Sequence, residues 1–502
     1  MNVDWLASHA SFNKEKIALV DSDTKETYTY EQLNERAMRM AKYLKQFKVM
    51  PGDRVALLAP NHIAYLDLFF ACCKIGAVFV PLNWMLNDSE VTYILNDSSP
   101  RFTLYINDDP RHTHLDHSSV IRLKTDQYED ILSSINASDF QANNVRLDQT
   151  AFIIYTGGTT GRSKGVMITH RHIASNAVNT ALGWGISPES STITFSPLFH
   201  LAGLNGLVLP ILWMGGRVVL VKAYQAHQSL CLLYHYQPSH IFMVPTMYYS
   251  LINEEHFDPD QLRSVKLFVT GGAPASDSVL ETFAKNDLPL INSFGLSEAG
   301  PNNFYISPER AKAKPKSVGR PIPPITVKLL DDEGKEVGVG ETGEIHIRSD
   351  HTFLGYWNLP NETAETLVDG FVKTGDLAKV DQDGDYFIVG RKKDIIISGG
   401  ENIYPIEIEE TMLNHPLVQD VAVVGYQDDY WGEAVGAAII PSTDGNPSFE
   451  DMQEILTAYL KDNLARYKVP KRFLFLEAFP TTPVGKTDRL ALAKQFLSHN
   501  VA

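Results

Sequence analysis

Tyr155-Thr156-Gly157-Gly158-Thr159-Thr160-Gly161-Arg162-Ser163-Lys164-Gly165 is the stretch on which the reading of this chain turns. Ala151 to Tyr155 before it and Val166-Met167-Ile168-Thr169 after it are both strand-like. The four glycines between and beside them let the backbone approach a bulky anion and aim N–H groups at it. The hydroxyls and Lys164 add donors and charge, a chemistry suited to the β- and γ-phosphates of a nucleotide. No register fits the Gly-x-x-x-x-Gly-Lys-Ser/Thr pattern, so this is not a Walker A loop. From composition alone, a polar surface hairpin stays open as the alternative.

Upstream of the loop, helix and strand patterns alternate. Tyr30 to Phe47 reads as a helix with Leu33, Ala37, Met40, Ala41 and Leu44 on one face. Pro51-Gly52-Asp53 turns into a strand at Arg54 to Leu58, and a second helix pattern leads to Ala77-Val78-Phe79-Val80-Pro81. Downstream, strand Val265 to Val269, a Gly-Gly turn, a helix and strand Leu288 to Ile291 repeat the style. Such alternation predicts an α/β fold of parallel sheets covered by helices. Near Ile325 the texture changes to short strands, Val327 to Leu330, Gly343 to Arg348 and Asp385 to Val389, separated by Asp/Gly turns, as in a meander or small β-barrel. The tail is α+β. It has strands at Val418 to Gly425 and Ala434 to Ile440, and a helix capped by Ser448 with an apolar stripe of Met452, Ile455, Leu456, Tyr459, Leu460 and Leu464. We expect a large N-terminal domain over residues 1–392 and a small mobile C-terminal domain over residues 393–502.

The bulk numbers exclude several classes. At 502 residues the chain is long for one core. A formal charge of −16 argues against a general nucleic-acid binder, which needs clustered basic residues. Cys72, Cys73 and Cys231 form no CxxC, so we expect free buried thiols in a reducing compartment and no zinc site. Met1 to Lys16 has no apolar core of a signal peptide. Leu201 to Gly216 is the most membrane-like stretch, yet Asn205, Pro210 and its length make a buried helix the better reading. A cytoplasmic protein with no integral membrane segment is the expectation, and a homodimer is an assembly left open. Gly338-Val339-Gly340-Glu341-Thr342-Gly343 matches GxGxxG, but a strand follows where a dinucleotide fold needs a helix, so we read a turn.

The phosphate loop has companions. Pro197-Leu198-Phe199-His200, Gly271-Gly272-Ala273-Pro274, Ser293-Phe294-Gly295-Leu296-Ser297-Glu298, Thr374-Gly375-Asp376, Gly390-Arg391-Lys392-Lys393-Asp394, Ser398-Gly399-Gly400-Glu401 and Pro483-Val484-Gly485-Lys486 follow it in order. The set resembles the adenylate-forming superfamily of acyl-CoA synthetases, luciferases and peptide-synthetase adenylation domains, from roughly Tyr28 to Leu490. In the loop, Gly157 stands where that family has serine and Ser163 where it has proline.

The resemblance implies roles for single residues. Thr156, Gly157, Gly158, Thr159, Thr160, Gly161 and Lys164 would hold phosphates. Gly272, Ala273 and Pro274 would form the adenine shelf. Phe294 would stack on the purine, beside Ser293 and Gly295. Ser297 would reach the α-phosphate and Glu298 would ligate magnesium. Asp376 would accept both ribose hydroxyls with Arg391 nearby. His200, Leu204, Val244 and Leu296 would line the acyl pocket. Lys393 would be the hinge, with Gly399 and Gly400 facing coenzyme A. Lys486 would bridge carboxylate and α-phosphate.

Taken one by one, the bland readings are a core histidine for His200, a strand-to-helix turn at Gly271-Gly272, a surface carboxylate for Glu298, a solvated charge run at Arg391 to Asp394 and an inert lysine for Lys486. Taken together, the implied function is an ATP-dependent, AMP-forming acid–CoA ligase using Mg2+, with a medium- or long-chain fatty acid as first reading. An aryl acid, or a carrier-protein thiol as acceptor, is the alternative.

Overall fold

Thr29 opens the first long helix by a reciprocal cap. Its hydroxyl accepts the Gln32 N–H at 3.2 Å and its own N–H reaches the Gln32 side chain at 2.8 Å. The helix runs Tyr30–Gln46 and buries Tyr30 and the five apolar residues that the periodicity placed on one face. Its polar face is not wholly solvated. Arg36 makes two bonds to Asp67, which is fully buried, and two to Glu129, while the Tyr128 hydroxyl donates to Asp67 at 2.8 Å.

The computed structural model describes residues 3–106, 120–156, 163–398, 401–428, 430–442, 447–482 and 487–498. They divide into two compact units. One holds residues 1–275, 279–327 and 347–374, and the other 276–278, 328–346 and 375–502.

The first unit contains three helix-covered sheets. In the largest, strands 54–58, 78–82, 102–106 and 120–123 run parallel, and the hairpin of Thr150–Thr156 and Lys164–Thr169 closes one side. A two-residue strand, Gly355–Tyr356, is its outermost member. A second sheet orders strands 27–29, 17–21, 217–220 and 191–194. The third is parallel throughout, His240–Met243, Leu267–Thr270 and Leu290–Asn292. Its strands start two residues later than the hydrophobic runs suggested, because Val265 and Leu288 are spent in the turns that enter them. The parallel order bears out the α/β expectation.

One expectation is borne out with a refinement, and another is corrected. Leu201 to Gly216 is buried and helical, but Ala202–Val208 is a π-helix, and only Leu209–Trp213 is α-helical. The cause is local. Pro210 has no N–H to return to the carbonyls one turn behind it. The Asn205 carbonyl accepts instead from Asn176 Nδ2 at 2.6 Å, and the Gly206 carbonyl from Asn302 Nδ2 at 2.8 Å. Gly203 packs so tightly that a Cβ there would stand 2.1 Å from the Pro197 carbonyl oxygen. Cys72 and Cys73 are buried as expected, and burial pushes both thiols up, but Cys231 is exposed on its helix.

The meander is present. Strands Tyr386–Arg391, Phe371–Val380, Thr342–Arg348 and Thr326–Leu330 lie in that spatial order. The GxGxxG segment is a turn into a strand, with the Gly338 N–H held by Glu341 at 2.7 Å. The tail carries the expected strands, Val418–Asp428 and Gly432–Pro441, paired over ten residue positions, and the helix Phe449–Asn463 capped by Ser448. Met452, Leu456 and Leu460 are fully buried, whereas Ile455 is 42% exposed, so the apolar stripe is narrower than its sequence pattern. Among the described residues no helix is long and apolar enough to cross a membrane.

Candidate active site

The glycine-rich loop joins two antiparallel strands, with Thr156 opposite Lys164. Gly157, Gly158, Thr159, Thr160 and Gly161 lie outside the described residues, as do Gly399, Gly400 and Lys486. The flanks are held firmly. Tyr155 donates to Asp97 at 2.5 Å, and the Trp357 indole N–H reaches the Asp97 carbonyl at 3.1 Å. A Cβ at Gly165 would stand 2.8 Å from Ile153, so the base of the hairpin has room only for glycine.

Two further motifs sit at the carboxyl ends of the parallel three-stranded sheet, where the crevice of an open α/β sheet takes ligands. Gly271 follows strand Leu267–Thr270 and passes close to the neighbouring chain: a Cβ there would be 2.9 Å from the Ser293 carbonyl oxygen. Gly272 adopts φ +84°, which an alanine would strain. The Thr270 and Ser293 hydroxyl oxygens are buried with no protein partner among the described residues. Ser293 was expected in the site. Thr270 was not, since a threonine ending a buried strand carries no signal in sequence. Beyond Ser293 the chain folds back on itself: a Cβ at Gly295 would stand 2.1 Å from the Pro301 carbonyl oxygen. Phe294 is half-buried and meets Phe304 edge-on at 5.8 Å.

Glu298 is half-buried, and its Oε1 accepts the Tyr356 hydroxyl at 2.8 Å. Among the described residues its second oxygen has no protein donor. One oriented carboxylate oxygen with the other available suits a hard cation that takes oxygen ligands and keeps water and phosphate in its shell. Tyr356 was absent from the sequence reading. A tyrosine after glycine in a two-residue strand has no periodicity to mark it.

The acyl candidates are distributed along the same unit. Leu204 is fully buried within the π-helix. His200, at the turn before it, is half-buried with its ring 4.6 Å from Phe199. Val244 caps helix Pro245–Ile252, and Leu296 is half-buried beside the Gly300 bridge. A small cavity lies between strand 191–194, the π-helix and Phe242. None of those four side chains lines it.

In the second unit, Asp376 is buried and stands directly opposite Arg391 in neighbouring antiparallel strands, and Arg391 Nε donates to Asp376 Oδ1 at 2.9 Å. Gly375, at φ +71°, gives its N–H to Glu344 at 3.3 Å, and Lys392 bonds Glu344 at 3.0 Å and Asp332 at 2.8 Å. The charge run is therefore paired within its own unit. Burial lowers the Lys393 ammonium, with Asp394 opposing the shift.

The chain as a whole has counterparts among known proteins. A family model described as AMP-binding enzyme matches residues 6–357, and one described as AMP-binding enzyme C-terminal domain matches residues 407–486. The chain belongs to the AMP-binding enzyme family. Feruloyl-CoA synthase of an Amycolatopsis species is 36% identical over 474 residues, covering 93% of this chain and 94% of its own. Long-chain-fatty-acid–CoA ligase FadD13 of Mycobacterium tuberculosis is 32% identical over 508 residues, covering 99% and 98%. Among solved structures, o-succinylbenzoate coenzyme A synthetase (MenE) of Bacillus subtilis, in complex with ATP and magnesium ion, superposes with a TM-score of 0.87 at 30% identity, over 97% of this chain and 99% of that one. The chain is an AMP-forming acid–CoA ligase that uses ATP, Mg2+ and coenzyme A.

Proposed function

We propose that the acid it activates is a monocarboxylic acid with an apolar body, a medium- or long-chain fatty acid being the first reading. The observation that carries this is the apolar character of the segment behind His200, where Leu201, Leu204 and Leu207 are buried and no charged side chain intervenes to pair a second carboxylate. The likeness to FadD13 along nearly the whole chain supports it. An aryl acid bearing oxygen is the second reading. The likeness to feruloyl-CoA synthase favours it, and so do two buried carboxamide oxygens, Asn176 Oδ1 and Asn205 Oδ1, that have no protein partner among the described residues.

The residue roles belong to the same proposal. Attack of a carboxylate on the α-phosphate is opposed by anionic repulsion, so the protein's task is positioning and charge neutralisation. Lys164, with Thr156 and the loop Gly157, Gly158, Thr159, Thr160 and Gly161, holds the departing β- and γ-phosphates. Gly272, Ala273 and Pro274 with Phe294 hold adenine, Ser293 and Gly295 shape that wall, and Ser297 reaches the α-phosphate. Asp376 and Arg391 hold the ribose. Lys486 neutralises the nucleophile. Glu298 would hold magnesium, which when bound supplies positive charge to the phosphate chain. The acid is already ionised, so no protein base is needed. A thiol then attacks the mixed anhydride and AMP leaves, with Lys393 as hinge and Gly399 and Gly400 at the coenzyme A face.

The test is pyrophosphate exchange with a panel of alkanoic, cinnamic-type and succinyl-aryl acids, followed by product analysis with and without coenzyme A. The alkanoic acids should exchange best and yield thioesters. Strongest exchange with hydroxylated aryl acids would replace the first reading by the second, and exchange without a coenzyme A thioester would point to a carrier-protein thiol.

A further inference from the structure

Tyr356 touches both halves of the phosphate machinery. Its hydroxyl donates to Glu298 Oε1 at 2.8 Å, and the Lys164 ammonium lies 5.0 Å from the centre of its ring. The backbone imposes this. Gly355–Tyr356 pairs antiparallel with the strand that leaves the glycine-rich loop, Gly355 opposite Met167 and Tyr356 opposite Val166. Side chains two residues apart share a face of a strand, so Lys164 is the diagonal neighbour of Tyr356. The Leu354 N–H to the Met167 carbonyl at 2.9 Å and the Trp357 N–H to the Gly165 carbonyl at 2.7 Å extend the pairing. One residue earlier, the Phe353 N–H donates to the Glu298 carbonyl at 2.7 Å. Five residues, 353–357, thus tie the loop's lysine to the Glu298 segment. The strand is itself pinned. The Tyr356 N–H donates to Thr363 Oγ1 at 2.8 Å, and a Cβ at Gly355 would stand 2.7 Å from the same threonine.

The ring does two different things. Its electron-rich face attracts the Lys164 ammonium without neutralising it, leaving the full charge for an anion. Its hydroxyl orients one carboxylate oxygen of Glu298.

We propose that Tyr356 is a positioning residue that sets Lys164 and Glu298 together, so that the phosphate grip and the cation site are assembled as one unit. The proposal rests on the reading of Glu298 as a magnesium ligand and of Lys164 as a phosphate contact. Its test separates the two arms. Tyr356→Phe keeps the ring and removes the hydroxyl. Tyr356→Leu removes both.

The Mg2+ dependence of pyrophosphate exchange, the KM for ATP at saturating Mg2+, and Mn2+ binding in the presence of ATP by electron paramagnetic resonance should be measured for both, beside Glu298→Gln. We expect Tyr356→Phe to weaken Mg2+ and Mn2+ dependence by about 10-fold, in the range for residues that orient a metal ligand, with little change in the KM for ATP. Tyr356→Leu should show the same loss and a raised KM for ATP as well. An unchanged metal dependence in Tyr356→Phe, with Glu298→Gln impaired, would overturn the role of Tyr356 alone. Unimpaired metal binding in Glu298→Gln would overturn the reading of Glu298 and this proposal with it. A loss of maximal rate in Tyr356→Phe with no shift in either dependence would mark a merely structural residue.

Discussion

A carboxylate has two oxygens, and what its neighbours take decides what it can still do. Glu298 gives one to Tyr356, and Asp376 gives one to Arg391, each within its own unit. The first pairing was not visible in sequence, because the partner lies 58 residues away; the second joins two residues that the motifs had already set near one another. Lys486 is the opposite case, named by sequence alone. We predict that Lys486→Ala abolishes adenylate formation while largely sparing thioester formation from supplied acyl-AMP. Equal loss of both half-reactions would sink that role.

His351 makes a second residue-scale prediction. It is buried with Nδ1 3.1 Å from Asn179 Nδ2 and Nε2 2.9 Å from Asn303 Oδ1, an arrangement that the neutral ring satisfies at both ends. Burial holds it down at about 3. The unfolded chain takes up that proton near the ordinary histidine value of about 6.5. Stability from this site is therefore complete above that value and drains away as the pH falls toward 3. His351→Gln should flatten the fall in urea-unfolding midpoint between roughly pH 6.5 and 4, corresponding to about one proton fewer taken up on unfolding. An unchanged slope would show that the native ring already carries the proton.

At the scale of elements, the clearest lesson is the π-helix. Asn205 and Pro210 told from sequence that the apolar run is no membrane span, yet the helix type follows from which groups donate to the orphaned carbonyls. Asn302→Ala should cost about 1–3 kcal/mol by leaving the buried Gly206 carbonyl unpaired. In a Pro210→Ala background, where a backbone N–H is restored, the same substitution should cost less. Unfolding midpoints of the four members of that cycle decide it, and strict additivity would refute the account. The ion cluster on helix Tyr30–Gln46 behaves differently. Asp67 has no access to water, so Arg36→Met strands a buried carboxylate and should destabilise the protein by about 3–5 kcal/mol, measured by the same midpoints.

For the whole molecule, ligand linkage is the natural probe. ATP with Mg2+ binds the folded chain, so at about 100 times its dissociation constant it should add about 2.7 kcal/mol of stability, read as a raised melting temperature. Removing the metal with a chelator should abolish both the shift and pyrophosphate exchange. If the shift survives chelation intact, ATP binding does not need the cation at this site.

Much was determined by the sequence itself. Regular periodicity placed the helix at Tyr30 and the parallel strands. The Gly271-Gly272 pair placed the turn after its strand, because glycine tolerates the backbone that such a turn needs. The ordered motifs named Lys164, Glu298 and Asp376 as candidates. Only the tertiary structure decided their company. Tyr356 and the carboxamides Asn176 and Asn302 meet partners far away in the chain, and short strands and single buried polar residues such as Thr270 leave no periodic trace. Hydrogen bonds of that kind are set by which elements meet in space, and that is decided when the sheets assemble.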